Sequence, residues 1–253
     1  MPVAHITDIL ALSAPVIELG IVVVLIAKKL WRRFPAFTAY AILHVAKLPT
    51  EFFLSHQPGS VYYSAYFFFY WSTEAVSAVL TYAIIYDLYG QVFRRYEGLN
   101  RLGRLLLNWV AALLILVGAI ASATASGNDF TRLVNGIMAV QQIFDILRLG
   151  LILFLFMFAS YFHLRWSNYM FGIAVGLAFY GSCDLTAQAL LVHFGTRAHS
   201  ISDVLISAAY TCTVTIWLGY LLTRSSALDQ SFELPANDLA VWNDALVGML
   251  NGR

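Results

Sequence analysis

The stretch LGLILFLFMFA, residues 149–159, carries no polar side chain at any position, and its reading decides the fold. A helix on the surface of a soluble protein shows water a polar face every 3.6 residues, and a half-buried strand alternates polar with apolar. This run does neither, so the solvent around it is apolar on every side. It belongs to one of seven windows of the length that crosses a hydrocarbon core of roughly 30 Å as helix, about 20 residues. The windows lie at 6–27, 35–55, 61–89, 102–125, 131–162, 168–193 and 201–223. A membrane barrel would instead need alternating segments of about ten residues. The expected fold is an all-α membrane protein: a seven-transmembrane helix bundle over residues 1–223, then a tail over 224–253.

Composition agrees. Of 253 residues, 60% are hydrophobic and 11% charged, against roughly 25% charged in an ordinary soluble domain. Mean hydropathy of +0.73 with 15% aromatics excludes a disordered chain, which needs low hydrophobicity and high charge. A formal net charge of +1 excludes a basic nucleic-acid binder.

Lysine and arginine in short connections stay on the cytoplasmic side during insertion. Lys28, Lys29, Arg32 and Arg33 fall between spans one and two, Arg94, Arg95, Arg101 and Arg104 between three and four, and Arg165 between five and six, with Arg224 and Arg253 in the tail. The alternate connections hold only Arg132 and Arg197. The N-terminus is therefore expected outside and the C-terminus in the cytoplasm, in a plasma membrane of bacterial inner-membrane type. The first basic cluster follows the first apolar run, which fits a retained span and not a cleaved signal peptide. Cys183 and Cys212 lie inside apolar runs and read as free packing residues.

The tail offers Asn237 or Asp238 as a helix cap, then Leu239, Trp242, Leu246, Met249 and Leu250 at helical spacing. Asp229, Glu233, Asp238 and Asp244 outnumber Arg224 and Arg253 there. An amphipathic helix meant for an anionic lipid surface is rich in lysine and arginine. This acidic one is expected to rest its Leu239, Trp242 and Leu246 stripe on protein, either its own basic loops or a cytoplasmic partner.

The informative residues are those in the wrong solvent. An ionisable side chain at the bilayer centre costs about 2.5–3.5 kcal/mol on insertion scales, so it must face the bundle interior or water. Glu18, Lys47, Glu51, Glu74, Asp145, Arg148 and Asp184 all fall inside spans. In span two, His44, Lys47 and Glu51 share one helical face around Pro49, and in span five Gln141, Asp145 and Arg148 do the same. Pro49 removes one backbone donor, frees the Val45 carbonyl and is expected to bend the axis of span two. Glu74 follows the aromatic run YYSAYFFFYW at 62–71, whose deeper members lie beyond an interfacial belt. Five acids face two bases, so three carboxylates lack a cation. An unpaired carboxylate is too costly to bury charged. The sequence thus expects Glu18, Glu74 or Asp184 to be held neutral, bonded to groups such as Gln188, Tyr180 or Thr186.

Seven spans with an outside N-terminus resemble the microbial rhodopsins in layout. That family carries its retinal on a lysine of the last span, and here this span, ISDVLISAAYTCTVTIWLGYLL at 201–222, has none. The likeness covers span number and direction only and implies no activity. The paired proline–glutamine signature of small seven-helix sugar transporters is absent, as are a phosphate-binding glycine loop and GxSxG. His193, His199 and Asp203 are too loosely spaced for zinc. No cofactor, metal or catalytic residue is expected, and the chain is not expected to be an enzyme. The leading expectation is a receptor-like or signal-relay protein with an outward-facing polar cavity lined by Glu18, His44, Lys47, Glu51, Glu74, Gln141, Asp145, Arg148 and Asp184. The alternatives are a proton-coupled small-solute transporter and a scaffold subunit without a ligand.

Overall fold

The computed structural model describes residues 2–55, 60–94, 97–124, 129–161, 167–194 and 199–223. Among them it is helical, with no strand. Seven α-helices are described: α1 (Pro2–Ala27), α2 (Pro35–Ser55), α3 (Ser60–Val92), α4 (Glu97–Thr124), α5 (Asp129–Tyr161), α6 (Asn168–Phe194) and α7 (His199–Leu222). Each coincides with one apolar window to within a few residues. The largest difference at a start is in α4, which begins at Glu97 and not at 102, because its polar opening turn EGLNR still continues the helix. The tail, with Leu239, Trp242 and Leu246, lies outside the described residues.

Short connections make sequential helices antiparallel neighbours. A short 3₁₀ turn, Leu30–Arg32, joins α1 to α2. Lys29 just before it takes a left-handed backbone (φ 55°), and Pro35 opens α2, where its missing N–H costs nothing. Six helices close a ring in which α1 packs on α2 and α7, α7 on α6, α6 on α5, α5 on α3, and α3 on α2. The seventh, α4, packs from outside on α3 and α5. The Lys28 ammonium closes the seam between α1 and α7 by donating to the carbonyls of Leu221, Leu222 and Thr223. The last carbonyls of a helix lack intrahelical donors and carry its negative dipole end, so a cation is well placed there.

The exterior is apolar. Val16, Leu19, Val23 and Ile26 form an exposed stripe along α1, and Leu105, Leu106, Trp109, Leu113, Leu116 and Ile120 do so along α4. Exposed apolar surface on this scale marks a face that water does not cover. Helix α3 over Ala65–Val92, and α4, α6 and α7 throughout, are long and apolar enough to cross a membrane; Ser13–Ala27 of α1 is a shorter apolar stretch.

Helix α2 runs through Pro49 to Ser55. A proline deletes a single donor, and the turns on either side keep theirs. The Thr50 hydroxyl bonds back to the Ala46 carbonyl at 2.8 Å within the same turn.

Helices α6 and α7 approach closely. A Cβ on Gly172 would lie 2.3 Å from Cβ of Tyr220, and one on Gly176 would lie 2.2 Å from Nε1 of Trp217. Glycines four apart let two backbones approach, as small residues do between helices in lipid. The Trp217 indole uses that approach to donate to the Ile173 carbonyl at 3.2 Å. Gly176→Ala should therefore lower thermal stability in detergent. Overpacking costs about 1–3 kcal/mol, or several degrees at roughly 2–4 °C per kcal/mol for a chain of this size. Gly150→Ala and Gly219→Ala, whose added methyl meets nothing within 4 Å, should leave the melting temperature unchanged or higher.

Candidate functional site

Five helices turn polar side chains toward one another around a cavity of about 590 Å³. Each helix contributes residues three or four apart, the spacing that keeps side chains on one face. Thus α2 supplies Tyr40, His44 and Lys47, and α3 supplies Tyr70, Glu74, Ser77 and Thr81. Asp145 and Arg148 come from α5, Tyr180, Asp184 and Gln188 from α6, and Tyr210 from α7.

The charges are matched across helices. The Lys47 ammonium pairs with the Glu74 carboxylate, joining α2 to α3, and it sits 5.1 Å from the centre of the Tyr70 ring. On the opposite wall Arg148 lies 3.0 Å from Asp145, one turn back on α5, and 3.8 Å from Asp184 on α6. The Gln188 amide donates to Asp145 at 3.3 Å and to Asp184 at 3.5 Å. Arg148 is 6% exposed, and its guanidinium lies 5.5 Å from the Tyr180 ring centre. It fits against α6 because residue 181 is glycine, where a Cβ would come within 3.2 Å of the guanidinium Nε.

Glu18 reaches the site from α1 and is 2% exposed. The Tyr210 hydroxyl donates to its carboxylate. The same hydroxyl lies 2.8 Å from His44 Nδ1, and His44 Nε2 lies 3.1 Å from the Ser77 hydroxyl. Tyr210 has one proton to give. While Glu18 receives it, His44 must donate from Nδ1 to the phenol oxygen, and a neutral imidazole then accepts from Ser77 at Nε2. The polarity of a four-residue chain is thus set by what Glu18 holds. The chain runs from a closed carboxylate on α1 to the cavity wall on α3.

These contacts correct the sequence-based pairing. Glu74 and Asp184 were expected to lack cations, yet Glu74 faces Lys47, and Asp184 shares Arg148 with Asp145. Sequence proximity suggests partners within one helix, whereas the bundle supplies them from neighbouring helices. Of the three carboxylates, Glu18 is the one with no lysine or arginine in contact among the described residues; His44 Nδ1 lies 3.8 Å from it. Thr186 bonds to its own helix at the Ser182 carbonyl, not to a carboxylate. The side chains of Glu51 and Gln141 lie outside the described residues.

Other lining residues were not picked out as cavity residues from the sequence, among them Tyr40, Ser77, Thr81 and Tyr210. Tyr40 and Tyr210 have a readable signal, since a tyrosine well inside a span is too deep for the interfacial belt and needs a partner for its hydroxyl. Ser77 has none; it looks like any small helix residue. Away from the cavity, His199 and Asp203 lie 3.8 Å apart on the surface of α7. Among the described residues no three histidine, cysteine, aspartate or glutamate side chains converge as metal ligands would. Cys183 and Cys212 are both free thiols.

Comparison with protein-family models, with curated proteins and with solved structures finds no match for this chain.

The Lys47–Glu74 contact predicts non-additivity. Lys47→Met and Glu74→Gln should each lower the melting temperature of the detergent-solubilised protein, since each removes one charge of a partly buried pair. The double variant should recover part of that loss, with a coupling of about 0.5–3 kcal/mol. Simple addition of the two losses would show that the pair does not act as a unit.

Proposed function

We propose that the chain is a seven-span membrane protein of receptor or signal-relay type, binding a small polar ligand in the cavity between its helices. In this reading all seven helices cross the bilayer, the N-terminus is outside, and residues 224–253 form a cytoplasmic tail available to a protein partner. The plasma membrane, of bacterial inner-membrane type, is the compartment that the lysine and arginine asymmetry suits.

One observation carries the reading: at one end of the bundle the cavity is backed by packed apolar side chains. Toward the end bearing Lys28, Lys29, Arg32 and Arg33, the bundle is filled by buried apolar side chains, among them Leu25, Phe37, Ile85, Leu88, Leu177 and Leu221. Trp217 packs edge-on against Phe37, with ring centres 5.1 Å apart, and against Tyr40 at 5.9 Å. A receptor needs a site reached from one side; a transporter needs a path to both. The Lys47–Glu74 and Arg148–Asp184 pairs join different helices, so a ligand that replaces one member of such a pair changes which helices are tied together. That is the differential contact any ligand-driven shift requires. The chain from Glu18 through Tyr210 and His44 to Ser77 favours the second reading, proton-coupled transport, because it could relay a proton to the cavity.

Thiol labelling separates the two. Ala78 lines the cavity, and in a background with Cys183→Ala and Cys212→Ala, an Ala78→Cys thiol should react with a membrane-impermeant maleimide added outside but not inside. Reaction from both sides would favour transport, and reaction from neither would refute the cavity as a binding site. Orientation has its own test: a fluorescent protein fused after Arg253 should fluoresce, and alkaline phosphatase at the same point should be inactive. The reverse result would place the tail outside.

A further inference from the structure

We infer that the cavity takes a small organic cation, a monoamine in its ammonium form; this rests on reading the cavity as a binding site. The described side chains facing the space include three carboxylates, Glu74, Asp145 and Asp184, and two cations, Lys47 and Arg148. Lys47 is engaged with Glu74. Arg148 is divided between two acids, held at 3.0 Å by Asp145 and standing 3.8 Å from Asp184. Gln188 offers both carboxylates an N–H but no charge. The surplus negative charge therefore sits on the α5–α6 wall, chiefly at Asp184, the more loosely held of the two acids. An anion would add to that surplus, whereas a single positive charge would complete it.

Size and lining set the rest of the ligand. A cavity of about 590 Å³ is far larger than a bare ion fills and falls within the roughly 300–1,000 Å³ typical of small-molecule sites. Tyr40, Tyr180 and Tyr210 line the same cavity as Asp184, and the Tyr180 and Tyr210 rings meet edge-on at 5.8 Å. Aromatic rings carry a negative face that attracts ammonium groups and packs well on a hydrocarbon body. The lining thus fits a charged amine at Asp184 with its organic part against the tyrosines.

Competition at the introduced thiol tests this. The Ala78→Cys protein in lipid nanodiscs is reacted with the maleimide in the presence of phenethylammonium chloride, sodium phenylacetate or sodium chloride. By mass action, phenethylammonium at several times its dissociation constant should slow labelling about fivefold, and neither sodium salt should do so. Asp184→Asn should remove the protection, and Asp145→Asn serves if the first variant does not fold. Equal protection by phenylacetate, protection by sodium chloride, protection that survives loss of the carboxylate, or no protection by phenethylammonium of a thiol that does react would each overturn the inference. A thiol that never reacts at all refutes the cavity reading itself, and the inference with it.

Discussion

Charge buried inside a bundle with an apolar exterior has to be answered by charge or hydrogen bonds from another helix, and this constraint organises the molecule. Lys47 on α2 is answered by Glu74 on α3, Arg148 on α5 by Asp145 beside it and Asp184 on α6, and Glu18 on α1 by Tyr210 on α7. Helix packing in lipid lacks the hydrophobic drive it has in water, so specific polar contacts and close fit carry the specification of neighbours. Every helix in the closed ring takes part in at least one of these contacts. The outer helix, α4, contributes no residue to the cavity and presents a long apolar face instead.

Close fit supplies the other half. Gly172 and Gly176 admit Tyr220 and Trp217, and Gly181 admits the Arg148 guanidinium. The first two glycines draw α6 against α7; the third opens a slot for a charge. Trp217 links the two themes, because its indole bonds to α6 while its ring closes the floor beneath Tyr40.

Much of this was legible in the sequence. Seven runs without a soluble period marked the helices, and of the polar residues singled out within them His44, Lys47, Glu74, Asp145, Arg148 and Asp184 line the described cavity. Partner identity was not legible. Helical spacing ranks local contacts first, so Lys47 read naturally with Glu51, while its described partner is 27 residues away on α3. Tyr210 escaped notice because one hydroxyl on an aromatic ring is a faint signal until a carboxylate and an imidazole are placed beside it.

The account depends on a wetted interior inside an apolar exterior, the reverse of a soluble fold. Hydroxyl-radical footprinting by mass spectrometry on the protein in lipid nanodiscs measures this directly, because the radicals arise only where water is present. Cavity residues Tyr70 and Tyr180 should be oxidised, and Trp109, Phe171 and Phe179, exposed on the outer surface, should be protected. Oxidation of Trp109 and Phe179 with Tyr70 and Tyr180 untouched would mean that water lies outside the bundle and not within it, and would contradict the account.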